Sequence, residues 1–209
     1  MKKFLVSILA LAMVLSIGSV TAFAGTLPTG QGDESVTGSN PTSDTVPVYG
    51  YIGEDANITD PNPTSPTTPP TVTPTGTAIN VTVPTKIIWA SFASSGTVAS
   101  PSYYIQNNST SVDLDVTLVS FTATGTDNTA VDSSLVLNLT GTQMAQAGVM
   151  SSGTGYAPAT PTAYATTFAR ATSATTPTTW NFAIGGTYTG SYSAAKNPTY
   201  DMILRFSIH

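Results

Sequence analysis

Residues 112–118, Val-Asp-Leu-Asp-Val-Thr-Leu, alternate apolar and polar side chains without a break. In a strand this period of two puts Val112, Leu114, Val116 and Leu118 on one face and Asp113, Asp115 and Thr117 on the other. A helix would scatter both sets around its circumference. A strand with one wet face needs neighbours in a sheet and a second layer over its apolar side. Shorter β-like runs occur at 78–83, 86–92, 103–106, 135–140, 163–168, 179–184, 188–192 and 200–208, divided by Gly, Asn, Pro and Ser. Thr contributes well to strands and poorly to helices, and only 143–150 reads as a turn or two of helix. The expected fold is all-β: an antiparallel β-sandwich with Greek-key connections, Ig-like or jelly-roll-like, preceded by an extended N-terminal segment. Trp89, Trp180 and Phe182 sit within such runs and are expected in its core.

The chain ahead of this domain is made of different material. Lys2 and Lys3 precede an apolar run at 4–20, and Ala22-Phe23-Ala24 offers small residues where a signal peptidase reads, so residues 1–24 are expected to be an export signal cleaved near Ala24/Gly25. The apolar run is short and lacks a stop-transfer pattern, so no transmembrane span is expected in the mature form. Residues 25–76 follow as a Gly/Ser/Thr/Pro-rich extended segment, and the β domain is expected at 77–209. Prolines at 61, 63, 66, 69, 70 and 74 remove backbone donors and favour a stiff, polyproline-like spacer. Within this polar stretch lies an apolar island at 46–52, Val-Pro-Val-Tyr-Gly-Tyr-Ile. Val46, Val48, Tyr49, Tyr51 and Ile52 have nothing nearby in the sequence to bury against.

Composition limits the chemistry. Charged residues make up 8% of the chain, with one His and no Cys, so cysteine-based metal sites and disulfide staples are excluded. Removing Lys2 and Lys3 with the leader leaves four Lys+Arg against eleven Asp+Glu, a net charge of about −7. Such a surface does not neutralise a nucleic-acid backbone. No G-x-S-x-G elbow is present, and neither Lys86 nor Lys196 stands in an S-x-x-K arrangement. His209 has no partners in sequence that would orient a nucleophile. Asp113 and Asp115 read as polar-out alternation, and Asp127, Asn128 and Asp132 as a solvated turn, although their spacing leaves calcium at Asp127 and Asp132 open. Neither enzymatic activity nor a cofactor is expected.

The phrases at 46–63, 81–92 and 100–109 and the closing Tyr-Asp-Met-Ile-Leu-Arg-Phe-Ser-Ile resemble exported Gram-positive (Firmicutes) surface proteins with a β-sandwich domain. The chain is also distantly similar to WxL-type cell-surface domains. The matching positions are Trp89-Ala90-Ser91 and Trp180-Asn181-Phe182, with Ser and Phe where that pattern has Leu. The resemblance implies a secreted or cell-surface location and noncovalent contact with peptidoglycan.

Two functional expectations follow. The first is an extracellular structural or assembly subunit of the bacterial surface, in which the 46–52 strand adds to a neighbouring subunit and builds a pilus-like fibre. The same strand folding back onto its own domain is the competing arrangement. The alternative function is a cell-wall or glycan-binding module using loops near 155–161 and the Gly-rich segment that carries Tyr188 and Tyr192, where exposed rings would form a ligand surface. Expected partners are accordingly further copies, other surface proteins, or peptidoglycan and other glycans.

Overall fold

A computed structural model describes residues 33–54, 79–173 and 175–209. The expected leader, residues 25–32 and nearly all of the Pro-rich spacer lie outside them. Among the described residues twelve strands are formed: β1 (Asp33–Gly38), β2 (Thr42–Gly53), β3 (Ile79–Pro84), β4 (Ile87–Phe92), β5 (Thr97–Ala99), β6 (Tyr103–Asn107), β7 (Leu114–Ala123), β8 (Leu135–Thr140), β9 (Gln146–Ser151), β10 (Thr154–Gly155), β11 (Thr178–Tyr188) and β12 (Thr199–Ile208). A single helical turn, α1 (Asn128–Val131), leads into a 3-10 turn (Asp132–Ser134).

The result is a mostly antiparallel β-sheet domain with a sandwich-like arrangement of two walls. In the first wall the order is β1-β3-β6-β11. In the second it is β11-β5-β4-β2-β12-β7, with β8, β9 and β10 added on the other side of β11. β11 belongs to both, pairing through residues 178–182 with β6 and through 183–188 with β8. Where it lies against β8, Gly186 has φ +146, and a Cβ there would overlap the Val136 carbonyl oxygen. Only glycine accepts both conditions. The one parallel pairing among the described strands is β2 with β4.

Alternating side-chain direction explains the walls, although β3 and β4 are buried on both faces. Ile79, Val81 and Val83 of β3, Tyr103 and Ile105 of β6, and Trp180 and Phe182 of β11 point inward to meet Val46, Val48, Trp89, Met202, Leu204 and Phe206 of the second wall. Leu114, Val116 and Leu118 are buried as their alternation requires, but the strand starts at Leu114. Val112 and Asp113 are held in the preceding loop by the fully buried Asn107, whose Nδ2 donates to the carbonyls of Val112, Phe168 and Ala169.

Several segments depart from their sequence reading. Residues 143–150 form no helix: Gly148 takes φ +61, its N–H donates to Asn138 Oδ1 at 2.7 Å, and β9 runs beside β8 with a bulge. Residues 163–168 touch β7 only through single bridges, Ala163 to Thr117 and Phe168 to Leu114. The run at 188–192 ends as a strand at Tyr188. Residues 33–53, read as part of an extended lead-in, supply one strand to each wall.

Candidate functional site: the slot that holds β2

β2 is longer than the apolar island and is central to its wall. Residues 42–49 pair antiparallel with β12, and 48–53 pair in parallel with β4. On the β12 side the ladder continues past the strand end: Gly50 N–H donates to the Pro198 carbonyl at 2.8 Å, and Ile52 exchanges two bonds with Lys196, each 2.9 Å. Pro47 lies ahead of the part paired with β4, where its missing donor is tolerated. From residue 48 onward β2 therefore has partners on both edges, and its removal would leave β4 and β12 as two unpaired edges flanking a gap.

Val46, Val48 and Ile52 are completely buried and face the shared core. Between them Gly50 stands directly opposite Trp89 in the parallel register. A Cβ on Gly50 would overlap the indole, so the ring fills the space that the missing side chain leaves. This pair fixes the register, because a slip of one residue would drive Tyr49 or Tyr51 into the indole. Tyr51 lies on the opposite face, 6.0 Å from the Phe92 ring, and Tyr49 is half-buried there.

The path between β2 and β3 is short while the chain provided for it is long. Gly53 pairs with Phe92, the last residue of β4, and β4 follows β3 after only Thr85 and Lys86. By this connectivity the end of β2 and the start of β3 lie toward the same end of the two walls, and packed sheets stand about 10 Å apart. Residues 54–78 join them, and 25 residues reach roughly 80 Å when extended.

The aromatic corner at Tyr188 and Tyr192 is built differently from its sequence reading. Tyr188 is 3% exposed and belongs to the core, which corrects the expectation of an exposed ring; Tyr192 is half-buried. Their rings meet edge to face at 5.1 Å. Tyr192 OH donates to the Tyr188 carbonyl at 3.2 Å and shares a 2.8 Å hydrogen bond with Ser91 Oγ. Burial, followed by the neighbouring Tyr192, pushes the Tyr188 hydroxyl pKa up. The corner closes the end of the wall. Trp89 and Trp180 are likewise core residues.

The acidic turn is a structural knot. Asp127 Oδ2 accepts the Asn197 N–H at 2.7 Å, and Asn128 Oδ1 accepts the N–H groups of Gly125 and Thr199. Asp132 Oδ1 accepts the Tyr200 hydroxyl at 2.7 Å and Asn128 Nδ2 at 3.3 Å. Burial first, and then Asp132, pushes the Tyr200 pKa far up, so its proton stays in this bond. These contacts pin the turn to β12. Asp113 Oδ1 accepts the Arg170 N–H, and Asp115 pairs with His209 at 2.7 Å. Among the described residues no group of three or more His, Cys, Asp or Glu could hold a metal ion.

Sequence reasoning missed β1, which has only Val36 as an apolar anchor, and the match of Gly50 to Trp89, which links residues 39 positions apart. Comparison with protein-family models, with curated proteins and with solved structures yields no match for this chain.

Proposed function

We propose that this chain is an exported structural subunit of the bacterial cell surface, and that β2 is the strand through which copies join. In this reading the β domain is a Greek-key sandwich that takes its β2 strand either from its own N-terminal arm or from that of a neighbour. The observation that carries the proposal is the mismatch between the short path from Gly53 to Ile79 and the 25 residues provided for it. A cis link across two sheets needs only a few residues. A Pro-rich spacer resists bending back and gives most of its effective concentration to distant sites.

The energetics favour an occupied slot whichever copy fills it. Burying Val46, Val48 and Ile52 is worth about 5–9 kcal/mol, comparable with the whole stability of an ordinary domain. The contacts are the same in cis and in trans, so the linker and the local protein concentration decide between them.

The absence of native cysteines allows a direct test. Thr45 and Ile203 face each other across β2 and β12, so a Thr45→Cys, Ile203→Cys double variant can be oxidised across that pair. Exchange between copies gives a covalent ladder on a denaturing gel and filaments by electron microscopy. A single internally bridged monomer at every concentration, including after refolding at high concentration, overturns the proposal.

A further inference from the structure

The N-terminal arm is held by both walls of the domain. β1 pairs with β3 over six residues, from Asp33 opposite Pro84 to Gly38 opposite Ile79, while β2 fills its slot in the second wall. β1 brings little apolar surface of its own: Val36 is half-buried against the core, and Glu34, Ser35 and Thr37 are exposed. Its hold is a backbone ladder reinforced by polar contacts. Tyr104 comes from β6, on the other side of β3, and donates its hydroxyl to Asp33 Oδ2 at 2.9 Å. Ser35 Oγ donates to Asn80 Oδ1 of β3 at 3.5 Å, and in the turn after β1 the Asn40 Oδ1 accepts the Ile208 N–H of β12 at 3.0 Å. These contacts fix the register. A slip of two residues would keep the faces of β1 but carry Asp33 about 7 Å along the strand, away from Tyr104.

The link between β1 and β2 is too short to let them part. Only Ser39, Asn40 and Pro41 separate Gly38 from Thr42, and the strand ends touch: a Cβ on Gly38 would stand 2.9 Å from Thr42 Oγ1. Four residue steps span at most about 14 Å, enough to turn from one wall to another packed about 10 Å away. When β2 lies in the slot of a neighbour, its β1 therefore enters the first wall of that same neighbour. The partners of the arm permit this, because the ladder strands β3, β4 and β12, and the side chains of Asn80 and Tyr104, all come from Ile79 onward, beyond the spacer.

We infer that the joining unit is the whole arm, residues 33–53, and that the receiving surface on a second copy has two parts. One is the edge of β3 with Asn80 and, across that strand, Tyr104. The other is the gap between β4 and β12. The inference rests on the reading that β2 joins copies and adds the first wall to the junction. A copy whose arm has left carries open edges on β3, β4 and β12, and one incoming arm closes all three.

The test uses two full-length chains, neither of which can form a facing bridge by itself. One carries Val36→Cys and Thr45→Cys, the other Val81→Cys and Ile203→Cys, so the pairs 36–81 and 45–203 are completed only between copies. The chains are refolded together at high concentration, oxidised and digested, and the bridges are identified by mass spectrometry. Both bridges are expected, in comparable amounts. A 45–203 bridge without the 36–81 bridge overturns the inference and leaves assembly through β2 standing. A 36–81 bridge alone overturns it as well, and absence of both overturns it together with the reading on which it rests. A single chain with Val36→Cys and Val81→Cys verifies that this bridge closes wherever the two strands pair. Thermal melts check that each variant folds, and Thr37→Cys with Asn80→Cys reads the same pairing should Val81→Cys unfold.

Discussion

Gly50 and Trp89 concentrate the specificity of the β2 slot in two side chains, one of them absent. The indole covers Gly50, so a methyl group added there must push a fully buried ring into a packed core. Overpacking of this kind costs about 1–3 kcal/mol. Gly50→Ala is expected to lower the unfolding free energy measured by urea denaturation by that amount, and a smaller aromatic in the double variant with Trp89→Phe should recover part of it. If the single variant is as stable as the native chain, the indole does not set the register. Gly186 is a different case, since its φ and its approach to Val136 both exclude a side chain. Neither role could be read from the sequence, where Gly50 looks like a break in an apolar run and Gly186 like half of a flexible Gly-Gly pair.

At the scale of elements, β1 and β2 form a corner that ties one wall to the other, and charge makes it sensitive to pH. Glu34 lies close to Asp44; burial first, and then the charge and hydrogen bond of Asp44, hold its carboxyl above the ordinary 4.5. Asp33 is raised above 3.8 by burial, against the lowering effect of the Tyr104 hydrogen bond. A carboxyl whose folded pKa exceeds its unfolded value contributes stability below the unfolded pKa and loses it as pH rises through the folded one. The arm should therefore hold more tightly near pH 4 than at pH 7. In denaturation series across that range, Glu34→Gln should flatten this part of the decline; an identical decline in the variant would count against the corner. Strand positions were largely legible: 135–140 coincides with β8, and β3, β4, β6 and β12 differ from their readings by a residue or so. Those runs carry their own periodicity. β1, β9 and α1 were not legible because tertiary partners hold them: β3 beside β1, the Asn138 side chain at Gly148, and Thr199 and Tyr200 of β12 around the acidic turn.

For the whole molecule, the sheet margins show where further chain can add. The β7 margin is bridged by Tyr156, Ala163 and Phe168, which shields it from stray pairing. The β1 margin opens with Asp33 and Glu34, charges of the kind that discourage edge-to-edge association. In the proposed assembly the route to a polymer is exchange of the arm, which leaves each slot filled once. Because cis and trans docking share their contacts, assembly should rise steeply with protein concentration during refolding and stay slow for chains already folded. Light scattering of chains refolded at increasing concentration checks this, and scattering independent of concentration would speak against exchange.

The sequence by itself determined the β character, the inward faces of most strands and the oddity of the 46–52 island. These are local properties, written in periods of two and in residues that forbid or favour a backbone conformation. Tertiary structure alone decided that β2 fills a slot between β4 and β12, that Trp89 covers Gly50 and that Tyr188 is core. Each of these depends on which distant segments meet. That is set by register and packing across two walls, and no short window of sequence contains it.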